Sequence, residues 1–145
     1  MNNYNIEIKE IFGLEEMKKL FLLIQQLNSD LKEQEYIDML KDMLPKGYRQ
    51  VGAFVDGICV GVAGFWINTK LYCGKYIEPD NVIVSDTHRN LKLGTKLLDW
   101  LHTEAIAQNC NVSLLDAYVQ NKDAHRFYFR EGYSILGFHM IKKLK

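Results

Sequence analysis

Residues 82–98 read VIVSDTHRNLKLGTKLL, and how this stretch divides between strand and helix decides the fold. The apolar run Val82, Ile83 and Val84 closes a strand-like segment, Lys75–Ser85. Leu93, Leu97, Trp100 and Leu101 then recur at helical spacing, which predicts a long helix from Lys92 to Gln108. Arg89, Lys92 and Lys96 gather positive charge at the junction beside His88, with no carboxylate between Thr87 and Leu98. A strand that turns here into a helix leaves the first amide N–H groups of that helix without carbonyl partners, at the positive end of its dipole. Such a turn can cradle a phosphate, and Gly94 would let a ligand approach the backbone with no Cβ in the way. Ordinary solvated basic residues at a helix start give the same pattern. The phosphate motifs G-x-x-x-x-G-K-[ST] and G-x-G-x-x-G are absent.

Outward from this junction, Asn5–Ile11 alternates as a half-buried strand does. Leu14–Asn28 carries Met17, Leu20, Phe21, Ile24 and Leu27 at three- and four-residue steps, predicting one amphipathic helix. Gln34–Leu44 predicts a second, ended by Pro45. Tyr48–Val55 and Ile58–Ile67 flank Asp56-Gly57, the strongest short hairpin signal. Gly61 and Gly64 within the second of these strands signal a bend or a close approach to the backbone. Pro79 in Lys75–Ser85 is tolerable only at a bulge, a strand start or an unpaired edge. Val112–Val119 reads as a strand, Lys122–Arg130 as a short helix and Tyr133–Ile141 as one or two closing strands. The order β α α β β β α β α β predicts an α+β fold, a mixed sheet with helices on both faces.

At 145 residues the chain predicts one domain, residues 1–145, with no linker or repeat. Lys+Arg and Asp+Glu both total 18, so no long-range field holds it on nucleic acid or on an anionic membrane. Cys59, Cys73 and Cys110 are odd in number and lack metal-ligand spacing, which reads as reduced thiols, no metal and a cytoplasmic location. The N-terminus has neither the charge nor the apolar run of an export signal.

A second informative stretch is LLDAYVQNKDAHRFYFREGY, residues 114–133. Asn121 ends a strand and opens a helix, a position from which it can cap or reach a ligand. Ala124, Phe127 and Tyr128 share one side of that helix. The two stretches together resemble the GNAT superfamily of acyl-CoA-dependent N-acyltransferases. Arg89-Asn90-Leu91-Lys92-Leu93-Gly94 is similar to that family's cofactor loop, [RQ]-x-x-G-x-[GA], and Asn121, Ala124, Tyr128, Gly132 and Tyr133 resemble its second cofactor region. The family's first loop glycine is Lys92 here. A Lys held at positive φ would be strained by ~1 kcal/mol or more, and a helical conformation is expected instead.

The resemblance implies a mostly antiparallel twisted sheet with a splay between its fourth and fifth strands. It implies acetyl-CoA as co-substrate, its pyrophosphate held by Arg89 to Thr95 and its pantetheine paired with Val82, Ile83 and Val84, with Asn121 and Ala124 alongside. A small-molecule or peptide primary amine would attack the thioester directly. Tyr128 matches the family's acid. The base stays open between Glu78 and Asp80, which bracket Pro79, with His125 and His139 as further candidates. Acceptor walls are expected from Tyr36, Trp66, Tyr72, Tyr76 and Phe138, and cation contacts from Asp38 and Asp42. Exposed aromatics near the C-terminus would allow a homodimer. The alternatives are a non-catalytic acyl-CoA-binding sensor and a nucleotide-binding regulator using the same cradle.

Overall fold

Asp56 and Gly57 both adopt positive φ, 50° and 84°, the geometry that lets a two-residue turn follow the twist of its flanking strands. In the computed structural model, which describes residues 3–145, this turn joins β2 (Arg49–Val55) to β3 (Ile58–Lys70) as the expected hairpin. The chain divides into two units, Met1–Leu114 and Leu115–Lys145.

The first unit is built on a five-stranded sheet in the order β1-β2-β3-β4-β5. β1 (Ile6–Ile11) pairs antiparallel with β2, and β3 with β4 (Gly74–Val84). β5 (Val112–Ser113) is parallel to β4, meeting it only at Tyr76 and Ile77. The Leu114 amide adds one more bond, 2.9 Å to the Ile77 carbonyl. β4 then runs on through Val84 beyond its last contact with β5, which is the splay expected between the fourth and fifth strands. Val112–Val119 is therefore a strand only at its first two residues. Asp and Ala are poor strand formers, and Asp116 lies 3.3 Å from His139 instead.

Register assigns the two sheet faces. Ala53, Gly61 and Phe65 face α4 (Leu93–Ala107): a Cβ on Gly61 would stand 3.5 Å from Leu97, and the Phe65 and Trp100 rings lie edge to face at 5.8 Å. Leu93, Leu97, Leu98 and Leu101 are buried there, each stabilising the fold by ~1.5–3 kcal/mol. The opposite face, with Tyr48, Val62 and Ile83, packs on Met17, Ile24, Tyr36 and Leu40. Those residues come from α1 (Leu14–Lys18), α2 (Phe21–Ile24) and α3 (Glu33–Met43).

The single helix expected over Leu14–Asn28 is thus two short ones. Leu20 leaves helical geometry at φ −94°, ψ 8°, and its amide bonds the Met17 carbonyl three residues back. The break lets Met17 and Ile24 both reach the core. α3 starts where Glu35 reaches back to the Lys32 amide at 3.1 Å and ends in a 3-10 turn, Leu44–Lys46, that contains Pro45.

The second unit holds α5 (Lys122–Arg130). The Asn121 side chain accepts from the Ala124 amide at 3.1 Å, the capping role open to it from sequence. Gly132 at φ 96° lets the Tyr133 amide turn back to the Tyr128 carbonyl at 3.0 Å, closing the other end. Tyr133–Ile141 holds no ladder among the described residues, so the expected closing strands are absent as strands; alternation alone does not make one without a hydrogen-bonded neighbour. Ile135, Leu136, Phe138, Met140 and Ile141 are exposed.

Candidate active site

β4 changes register between Ile83, which pairs with Val62, and Asp80, which pairs with Gly64. Three steps on β4 thus match two on β3. The extra residue is taken up at Asn81, in the left-handed region at φ 54°. Pro79 suggested a bulge; the structure places it two residues further on, at the residue type that tolerates this conformation best after Gly. Pro79 itself is buried and pairs with Phe65.

Before the bulge, Glu78 lies opposite Trp66 and Asp80 opposite Gly64, on the α1–α3 face of the sheet. Both carboxylates are half-buried. Beyond it, Ile83 enters the core of that face, while Val82 and Val84 stay half-buried.

The chain then makes a 3-10 turn, Asp86–Leu91, before α4. The strand therefore does not pass directly into the helix. Lys92 links the two at φ 56°, ψ 35°, which corrects the helical conformation expected for it. The reason is local: a left-handed link reverses the 3-10 turn and lets Leu93 bury its side chain as α4 begins. Lys96 is the first amide bonded to a helical carbonyl, that of Lys92 at 3.2 Å, so the Leu93 and Gly94 amides precede the ladder. Lys92 and Lys96 are exposed beside this start. Arg89 is also exposed and pairs with Asp86, one residue outside the carboxylate-free run. Ser85, Thr87 and His88 form a short polar chain, with Thr87 Oγ1 2.8 Å from His88 Nδ1.

In the second unit, Tyr128 packs between Phe127 and Tyr133, with ring centroids at 5.2 and 5.6 Å. Both other base candidates are engaged: His125 Nε2 donates to the Tyr118 carbonyl at 2.8 Å, and His139 meets Asp116. Asn121 and Ala124 are joined by the cap described above.

Sequence reasoning missed the groups behind the bulge. Tyr48 is buried, with its hydroxyl over Gly64, the β3 residue that pairs with Asp80. Gln50 Nε2 donates to it at 3.1 Å and to Tyr36 Oη at 3.3 Å, and Tyr36 in turn donates to the Met17 carbonyl at 3.0 Å. Burial pushes the Tyr48 phenol well above its ordinary range, against the opposing hydrogen bond from Gln50. Tyr36, expected as an acceptor wall, is core material in this network, and Trp66 packs on Tyr48 at 5.3 Å. Tyr76 is buried, whereas Tyr72 and Phe138 are exposed. Asp38 accepts from Gln34, and Asp42 pairs with Lys46. The three cysteines are free, and no group of three or more metal-ligating side chains occurs among the described residues.

The acetyltransferase (GNAT) family model matches residues 14–133. The chain belongs to the GNAT family. It is therefore an acetyltransferase. The aminoalkylphosphonate N-acetyltransferase of Salmonella typhimurium is 29% identical over 125 residues, covering 85% of this GNAT chain and 81% of that one. Among solved structures, the glucosamine-6-phosphate N-acetyltransferase of Arabidopsis thaliana has a TM-score of 0.74 at 22% identity, over 97% of this chain and 99% of its own. The aminoglycoside N-acetyltransferase AAC(6′)-Iy in complex with CoA has a TM-score of 0.83 at 14% identity, over 98% and 96%. These likenesses give this GNAT chain the fold. No helix among the described residues is long and apolar enough to cross a membrane.

Proposed function

We propose that residues 1–145 form one catalytic domain that moves the acetyl group of acetyl-CoA to the primary amine of a small molecule, by direct attack of the amine on the thioester. The observation that carries this reading is β4: it continues to Val84 past its last ladder pair with β5, Ile77 with Ser113, and leads into the start of α4. An edge without a ladder can take an extended ligand arm as it would another strand. Helix amides ahead of the ladder, with Arg89, Lys92 and Lys96 nearby, suit a diphosphate. The residues present therefore fit acetyl-CoA.

In this reading Arg89, Asn90, Leu91, Lys92, Leu93, Gly94 and Thr95 hold the pyrophosphate, and Val82, Ile83 and Val84 pair with the pantetheine. Asn121 and Ala124 flank it. Bound acetyl-CoA supplies the activated acyl group. An ammonium has no lone pair, so Glu78 or Asp80 takes its proton, directly or through water. Tyr128 holds a phenolic proton for the departing sulfur.

The name of the Salmonella relative, which gives it aminoalkylphosphonates as acceptors, supports a small-molecule acceptor here. We extend this to small amines in general and place the reaction in the cytoplasm. The exposed apolar run Ile135, Leu136, Phe138, Met140 and Ile141 supports a homodimer, which light scattering on the purified protein tests.

The deciding assay mixes the protein with acetyl-CoA, a thiol reagent and a panel of aminoalkylphosphonates, amino sugars, aminoglycosides and a peptide. Release of CoASH with one acceptor supports the enzyme. Calorimetric binding of CoA with no release for any acceptor identifies a sensor, and no binding at all removes the proposal. Thermal stabilisation by ATP but not by CoA identifies a nucleotide-binding regulator.

A further inference from the structure

A polar path crosses the core of the first unit from helix to strand. It starts at the Met17 carbonyl of α1, passes through the Tyr36 hydroxyl of α3 and the Gln50 amide of β2, and reaches the Tyr48 hydroxyl. The Tyr48 hydroxyl lies over Gly64, which pairs with Asp80, the residue just before the left-handed Asn81 of the β4 bulge. All three of Tyr36, Gln50 and Tyr48 are buried, Gln50 completely.

Two features say that this path is held at a cost. Gln50 gives its amide nitrogen to two tyrosines and leaves Oε1 buried with no partner among the described residues. A buried acceptor without a partner destabilises a fold, and an apolar residue at position 50 would avoid the loss. The second feature is Gly64. A Cβ at that position would lie 2.7 Å from Tyr48 Cζ and closer still to the hydroxyl, so only glycine lets the phenol sit directly over the β3 residue that pairs with Asp80. Mid-strand glycine weakens a strand by its lost packing and added unfolded-state freedom.

Both costs serve one position. Asn81 is the extra residue of β4, and its left-handed backbone determines where Asp80 stops and Val82 begins. We infer that Tyr48 is a positioning residue for acetyl transfer: its hydroxyl, held over Gly64 by Gln50, locks the Asn81 bulge and so fixes the Asp80 carboxylate and the Val82–Val84 edge in register with each other. The inference rests on the proposed acetyl transfer along β4. It adds a group that touches neither substrate and acts through the bulge at Asn81.

The consequence separates binding from turnover. Pyrophosphate affinity comes from the start of α4, a different element, whereas alignment at the reacting carbon depends on the bulge. A misplacement of ~1 Å can cost about 10²-fold in rate without a comparable loss of affinity.

The test compares Tyr48→Phe, Asn81→Gly and the double variant with the wild-type chain. Tyr48→Phe keeps the ring over Gly64 and removes only the hydroxyl. Asn81→Gly keeps the left-handed backbone accessible and removes the side chain at the bulge. Each single variant is expected to lower kcat about tenfold, with the calorimetric Kd for CoA within twofold of wild type. In the ligand-free protein, amide hydrogen exchange at residues 81–83 should quicken while exchange in α5 is unchanged. The double variant should lose no more than the worse single one, as expected for two groups acting through one bulge. The inference is overturned by unchanged kcat and exchange in both single variants, by multiplicative losses in the double variant, or by kcat, CoA affinity and melting temperature falling together. Should Tyr48→Phe fail to fold, Asn81→Gly alone decides, by the same split between kcat and Kd. A wild-type chain that binds no CoA refutes the underlying acetyl-transfer reading instead; local exchange at residues 81–83 still reports whether Tyr48 holds the bulge.

Discussion

Gly64 lies directly beneath the Tyr48 ring, so that a Cβ added there would stand 2.7 Å from Cζ, with no room for even one methyl group. The neighbour is a buried aromatic ring, which cannot swing aside as a surface side chain does. Gly64→Ala is therefore expected to destabilise the fold by about 1–3 kcal/mol, the usual range for overpacking a core. Gly57→Ala probes a different limit, backbone strain at φ 84° with nothing within 4 Å. Urea unfolding of the two variants separates the effects: pairing Gly64→Ala with Tyr48→Ala should recover part of the loss, and no partner substitution in the core should rescue Gly57→Ala.

Alkaline pH should find the same network. Burial raises the phenols of Tyr48 and Tyr36 above their unfolded values, chiefly by desolvation. As pH rises, the unfolded chain loses these protons first, so the stability they contribute is intact below about pH 10 and declines above it, by up to ~1.4 kcal/mol per pH unit for each group. The half-buried Cys59 thiol, also raised by desolvation, adds a loss that begins nearer pH 9. Urea midpoints measured from pH 8 to 11 should stay level and then fall, and Tyr48→Phe should fall less steeply. Parallel slopes for the two proteins would remove Tyr48 from the effect.

Lys92 holds a left-handed backbone conformation that costs an L-residue roughly 1–2 kcal/mol. Lys92→Gly should relieve most of this and raise the unfolding free energy by about 1 kcal/mol. If the side chain also serves the pyrophosphate, the variant binds CoA more weakly and with a shallower salt dependence even as it melts higher. A variant that is both more stable and tighter for CoA would show that the ammonium plays no part in the cradle.

Arg49 fastens three elements. Its guanidinium donates to Glu10 of β1 at 2.9 and 2.6 Å and to Glu104 of α4 at 3.1 Å, and it lies 4.9 Å from the centre of the Phe65 ring. The pairs are largely shielded from water, and removing the cation leaves two carboxylates facing each other. Arg49→Met should cost about 2 kcal/mol, less than the 3–5 of a fully buried pair because solvent still reaches the site. Thermal melts at low and high salt should both show the loss; one that vanished in high salt would indicate a surface pair.

The two-residue turn, the α4 stripe and the α5 caps were legible because each rests on local chemistry: Asp56-Gly57 admits positive φ, Leu93, Leu97 and Leu101 recur at helical spacing, and Asn121 and Gly132 bracket a helix of standard length. The break at Leu20 was not legible, because Leu14–Asn28 satisfies helical spacing throughout and only the need of Met17 and Ile24 to reach one core interrupts it. Pro79 pointed to a bulge but not to its residue, since Asn81 becomes the left-handed one only in register with Val62 and Gly64. Tyr48 and Gln50 gave no signal at all. A Tyr and a Gln at the head of a strand look like ordinary edge residues until the fold brings Tyr36 and Gly64 to them.

The two-residue seam between β4 and β5 has a bearing on the order of folding. β1 to β4 are antiparallel and pair through neighbours in sequence, so they can zip from the Asp56-Gly57 turn outward. A parallel partner must wait until the whole crossover, here α4, has docked and its loop entropy has been met. The β4–β5 seam is then the last part of the sheet to form. Val112→Ala should accelerate unfolding and leave the refolding rate unchanged, whereas Val51→Ala should slow refolding; stopped-flow chevrons would reveal the opposite order if the seam nucleates the fold.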